Sequence, residues 1–184
     1  MKRRNMVIAM LAALGWAAAT PSQARVDIAR SSVVATITQM NVPVDGKFGK
    51  FVADVSFEPD HPEKGSATVV VDTASYDLGD EGFNHEARGS AWFDATAYPK
   101  ATFRSTGIRS AGVGTFEVTG QLTIKGMSKS VVVPVKYAKQ GMTDTYDGVV
   151  AIKRSDFKVG TGEWADTSVV GDSIKVKFHI VNVK

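Results

Sequence analysis

Near the end of the chain, Ile174, Val176, Phe178 and Ile180 alternate with Lys175, Lys177 and His179. A β-strand sends successive side chains to opposite faces, so this period of two sets an apolar face against a wet one. The same period recurs along most of the sequence. Phe116, Val118, Gly120, Leu122 and Ile124 alternate with Glu117, Thr119, Gln121 and Thr123. Phe51, Ala53, Val55 and Phe57 alternate with Val52, Asp54, Ser56 and Glu58. Shorter runs carry Ala67, Val69 and Val71; Ala101, Phe103 and Ser105; Val131, Val133, Val135 and Tyr137; and Tyr146, Gly148, Val150 and Ile152. With Val33 to Met40, whose inward parity the pattern leaves undecided, about eight strands are predicted. Turn clusters such as Glu58-Pro59-Asp60-His61-Pro62 and Ala111-Gly112-Val113-Gly114 separate them. Gly79 to Arg88 is polar and poor in strand formers, so a short helix is expected near residues 79–90.

An all-β chain of regular strands with one wet face closes into a barrel or packs as a sandwich. Outward Lys175, Lys177, Glu117 and Asp54 argue against an outer-membrane barrel, whose outer band is apolar. The N-terminus is a separate matter. Lys2, Arg3 and Arg4 precede an apolar run from Met6 to Ala19, and Thr20 to Ala24 ends in small residues. That is the layout of a secretory signal, with cleavage expected after Ala24. The run is short of the roughly 20 residues of a bilayer span, and no later run is long enough. Residues 25–184 are therefore read as one exported, soluble domain in the periplasm.

Removing the signal changes the charge. The chain holds 22 Lys and Arg against 19 Asp and Glu; three of the bases lie before Ala24, which leaves 19 against 19. A nucleic-acid partner needs a basic stripe and loses its support. With no cysteine, disulfides, thiolate nucleophiles and cysteine metal sites are excluded.

The interior of an eight-stranded barrel is either just filled by side chains or holds one small ligand. The inward set mixes Phe, Val and Ile with Ala53, Ala67, Ala101, Ser105, Gly120 and Gly148. Small residues leave volume that large neighbours close or leave open, and composition alone does not decide which. The inferred inward list has no carboxylate, Lys, Arg or His. A cavity would therefore suit an aliphatic chain, each buried methylene contributing about 0.8 kcal/mol. A filled core would instead make this an interaction or stress-response domain that acts through its surface.

The search for chemistry is negative. His61 sits in a turn between Asp60 and Pro62, His179 faces out with the lysines, and His85 alone lies near a candidate mouth. No two share the close spacing of a metal site. There is no G-x-S-x-G elbow and no phosphate-binding glycine loop. Asp77, Asp80, Glu81 and Glu86 are read as a solvated acidic surface, and Arg154 with Asp156 as a structural ion pair. No catalytic residue, metal or cofactor is expected.

Three segments carry a resemblance: "WFDATAYPKATFRSTGI", "FEVTGQLTIKGMSKSVVVPV" and "IKRSDFKVGTGEWADTSVVGDSIKVKF". In this order they resemble the YceI-like, polyisoprenoid-binding family over nearly the whole mature chain. The resemblance implies an extended antiparallel eight-stranded barrel similar to lipocalins, whose tunnel takes a long-chain isoprenoid tail or fatty lipid. It implies no catalytic residues, and it allows a homodimer. It assigns Trp92, Phe93 and Phe103, Val118 and Leu122, and Phe157 and Trp164 to the tunnel lining. Parity adds Phe51, Phe57, Val69, Ile152, Ile174, Val176 and Phe178. Two departures concern the head group. Many relatives carry an early histidine where this chain reads Thr38-Gln39-Met40-Asn41, and a glycine where it has Lys158.

Overall fold

The structure is a computed structural model and describes residues 25–183. The expected signal segment, residues 1–24, lies outside the described residues. The strands are β1 (Arg25–Val26), β2 (Ser32–Gln39), β3 (Val42–Phe48), β4 (Phe51–Ser56), β5 (Ser66–Asp72) and β6 (Tyr76–Asp77). After helix α1 (Glu81–Arg88) come β7 (Lys100–Gly112), β8 (Thr115–Ile124), β9 (Met127–Gln140), β10 (Thr143–Lys153) and β11 (Ser173–Val183). Neighbouring strands are antiparallel, in the order β4-β5-β7-β8-β9-β10-β11-β2-β3-β6, with β1 paired to the far end of β11. Among the described residues no helix is long and apolar enough to cross a membrane.

All eight expected strands are present, together with three that the pattern missed. Two of these, β1 and β6, are two-residue pairings. The third, β3, holds Pro43, Asp45 and Gly46, all poor strand formers, and follows a two-residue turn at Met40 and Asn41. Both turn residues adopt positive φ (47° and 64°), as a type I′ hairpin requires, without the glycine that usually signals one. The undecided β2 turns Val33 and Ala35 inward, and both are buried.

The sheet curls until its edge strand β4 comes back towards β11, where the Asn182 side-chain amide donates to the Val55 carbonyl at 3.3 Å. Bulges in β7 near Ser105 and Ser110 help it bend. Ser105 is part of that bend: its hydroxyl accepts the Ala67 N–H at 2.8 Å where the β5–β7 ladder ends. Helix α1 forms where expected. Asp80 caps it by accepting the Phe83 N–H at 3.0 Å, and Arg88 in its last turn pairs with Glu81. Two apolar clusters hold the barrel. One centres on Val33, Phe48, Val71 and Tyr76 beside α1, the other on Phe116, Val118, Val133 and Ile180 towards the opposite end.

Candidate functional site

The two clusters do not meet as a solid plug. A hollow of about 390 Å³ runs between them, walled by strands from all round the sheet. Its trace shows along β11. Ile174, Val176 and Phe178 point inward, away from exposed Lys175 and Lys177, yet are only half-buried. An inward side chain keeps accessible surface only if it borders empty space. The hollow is nearly all apolar in lining. Thirteen of the fourteen residues expected at the lining border it: Phe57, Val69, Trp92, Phe93, Phe103, Val118, Leu122, Ile152, Phe157, Trp164, Ile174, Val176 and Phe178. Phe51 does not; it packs against both apolar clusters instead.

The small inward residues act differently from the expectation. Gly120 and Gly148 do not widen the hollow. A Cβ at Gly120 would stand 2.5 Å from the Phe103 ring, and one at Gly148 would collide with Phe178, its cross-strand partner. Tyr76 covers Gly46 in the same way. Each ring lies flat on the wall because the glycine beneath it has no side chain. The hollow survives because these aromatics hug the wall rather than cross the centre.

The rim is built from two loops clasped together. After α1 the chain coils through tight turns, with the Trp92 and Asp94 amides on the Gly89 carbonyl and the Phe93 amide on Ala87. The amides of Gly160 and Thr161 both donate to Ala91, at 2.8 and 2.9 Å, which joins this coil to the loop after β10. Trp92 and Trp164 then meet with ring centroids 5.6 Å apart. Tyr98, also in the aromatic stretch, turns away against the turn at Gly126 and does not border the hollow. Phe83 lines the hollow and is nevertheless 59% exposed, which puts α1 on the open edge.

Two charged residues line the hollow, against the expectation of none: Arg154 and Glu86. Arg154 is 3% exposed and is not paired with Asp156. Its guanidinium donates to the carbonyls of Gly171, Val159, Gly160, Trp164 and Val170 at 2.7–3.1 Å, and it lies over the Trp92 ring at 5.8 Å. Burial lowers its pKa, opposed by the charge of Asp172. Glu86 accepts the Trp164 indole N–H at 2.9 Å. Asp77, Asp80 and Glu81 are exposed, as a solvated acidic surface requires, with Asp77 accepting from Asn84, Asp80 capping α1 and Glu81 pairing with Arg88; Glu86 alone departs, turning to the rim. Period-two parity could not place Arg154 or Glu86, because neither sits on a strand.

The opposite end is closed by a polar floor. Tyr137 donates to Asp144 Oδ1 at 2.9 Å; Asp144 is 0% exposed and faces Asn182 across the β10–β11 ladder. Burial and then Asp144 push the Tyr137 phenol up to about 12 and raise Tyr146 as well, so both stay neutral. Asp144 and Asn182 continue the inward parity of β10 and β11 one step beyond Tyr146 and Ile180, past the point where the expected alternation stopped, so the buried carboxylate was missed. Among the described residues no group of three His, Asp or Glu could hold a metal ion. His179 pairs with Asp147 on the surface at 2.7 Å, and His61 approaches Glu63 at 3.6 Å.

Residues 25–182 match the model of the YceI-like domain. The chain belongs to the YceI-like family. A UPF0312 protein of Ectopseudomonas mendocina is 30% identical over 120 residues, 62% of this chain and 63% of that one, so the match spans less than two thirds of that relative. Among solved structures, BcnA of Burkholderia cenocepacia is 53% identical, with a TM-score of 0.84 over 85% of this chain and 98% of its own. A polyisoprenoid binding domain from Saccharophagus degradans shares the fold at 16% identity, with a TM-score of 0.72 over 88% of this chain and 98% of that domain. The YceI-like motifs fall on the clasped rim and on the walls below it. Lys158, which stands where a glycine was expected, adopts φ 54° at the end of the Arg154–Phe157 turn. It keeps the conformation a glycine would take, at the strain of a left-handed side-chain residue.

Proposed function

We propose that this YceI-like chain is an exported binding protein that holds a polyisoprenoid or other long-chain amphiphile in its barrel, for carriage or sequestration. The apolar hollow of about 390 Å³ carries the reading. It lies in the size range of small-molecule sites, and its walls offer a tail almost nothing but hydrocarbon and aromatic surface. The work done is equilibrium burial. Each methylene taken from water contributes about 0.8 kcal/mol, so eight of them contribute about 6.4 kcal/mol without a hydrogen bond. The thirteen expected lining residues that border the hollow are the proposed tail contacts, and no covalent step is required. A surface-acting domain with a filled interior, the rival, has no use for such a space.

Export rests on the basic and apolar segment before Arg25. N-terminal sequencing of the secreted protein is expected to begin at Arg25. The binding reading is tested by native mass spectrometry of protein purified without detergent, followed by solvent extraction. A co-purified lipid, or uptake of an added isoprenoid quinone, is the expected result. An apo mass under gentle conditions, with no uptake of the added quinone, would overturn it.

A further inference from the structure

We infer that the hollow selects its amphiphile by head-group charge, admitting neutral or cationic heads and disfavouring carboxylates and phosphates, with Glu86 as the deciding residue. This deepens the binding reading above and rests on it.

An anionic head needs N–H or O–H groups to replace its water, because a buried charge without partners is costly. Among the described residues only Arg154 and Glu86 carry charge on the lining, and no lysine borders it. Arg154 is the obvious partner for an anion, but a guanidinium has five N–H donors and this one has five carbonyl acceptors. A phosphate could reach it only by displacing a carbonyl that would then be left bare, an exchange rather than a gain. The Trp164 N–H is spent on Glu86, and the Trp92 N–H has no accessible surface. Lys125, close to the same loops, is engaged by the Ser90 and Lys158 carbonyls at 2.6 and 3.0 Å.

Glu86 is the converse case. A carboxylate offers about four acceptor positions, and the indole of Trp164 takes one. The rest face a half-buried rim, where a hydroxyl or ammonium head can donate and a second anion is repelled. Gln39, also on the lining and held at this end by its β-bridge to Val170, can donate or accept and so favours neither sign, which leaves Glu86 to decide. Exposed Glu163 and Asp166 on the rim loop add negative charge to the approach, set against exposed Lys158 on the same loop.

The test uses three ligands with one tail: geranylgeraniol, geranylgeranylamine and geranylgeranyl phosphate. Each is titrated into the lipid-stripped protein at neutral pH, with Trp92 and Trp164 fluorescence as reporter. The alcohol and the amine are expected to bind about tenfold or more tighter than the phosphate. Glu86→Gln keeps an oxygen for the Trp164 N–H and turns an amide donor to the hollow. It should bring the phosphate within about threefold of the alcohol. A phosphate that binds wild-type protein as tightly as the alcohol overturns the inference while leaving the carrier reading intact. So does discrimination that persists unchanged in the Gln protein. No uptake of any of the three overturns both.

Discussion

At Gly148 the wall of the barrel leaves no room for a side chain. The Phe178 ring occupies the space a Cβ would need, and the Pro134 carbonyl stands 2.8 Å from that position on the other side. Gly148→Ala therefore has nowhere to put its methyl group except by lifting the ring into the hollow. Overpacking of this kind costs roughly 1–3 kcal/mol, and at this chain length each kcal/mol lowers the melting point by about 2–4 °C. A fall of about 2–12 °C in thermal unfolding is expected, together with weaker lipid uptake, because the displaced ring takes up ligand space. Unchanged melting and uptake would contradict this account of the glycine. At this scale the sequence was half legible. Parity put Phe103, Gly120, Gly148 and Phe178 on the inner face, but not which ring would lie over which glycine. That depends on register and on the diagonal between strands, and a single-strand pattern carries neither.

Among the elements, the strands were readable and the loop that closes them was not. Period-two alternation marks a half-buried strand strongly, which is why β4, β5 and β7 to β11 were found; β3 hid behind Pro43, Asp45 and Gly46. The loop after β10 has no period to read, and its organiser is one residue. Arg154 draws five carbonyls, from Val159 to Gly171, onto a single guanidinium. Read from sequence beside Asp156 it looked like half of an ion pair, because local spacing does not reveal a partner set made of backbone. Arg154→Met keeps bulk and removes every donor. The substitution leaves neutral carbonyls without a donor, and each that water cannot reach costs about 1–3 kcal/mol. Because those five acceptors all lie in one loop, the opening should be local. Hydrogen exchange is expected to quicken in residues 159–171 while the amides of β8 and β9 keep their protection. Equal acceleration throughout the barrel would show that Arg154 supports the whole core and not the rim.

For the molecule as a whole, the deciding question was whether the barrel is filled or hollow, and no single strand could answer it. The interior volume is a small difference between the circumference of a closed sheet and the sum of the side chains inside it. Laying Phe103, Phe178 and Tyr76 flat over glycines tips that difference towards space. A hollow of fixed size has a consequence that a merely sticky surface does not. Within a series of straight-chain alcohols, each added methylene that finds wall to bury against should tighten binding by about 0.8 kcal/mol, close to fourfold. Growth must stop when the tail reaches Tyr137 and Tyr146, backed by buried Asp144, where further carbons meet phenols or hang out past Phe83. Affinity plotted against chain length is therefore expected to climb steeply and then flatten. Since only the folded barrel binds, the melting point should follow the same curve, gaining about 2.7 kcal/mol of stability when ligand stands at a hundred times Kd. Calorimetric titration and thermal unfolding across the series measure both. A plateau shared by the two curves is the signature of a closed-ended cavity, whereas a shallow slope with no break would mean that the tails lie on the outside of the protein.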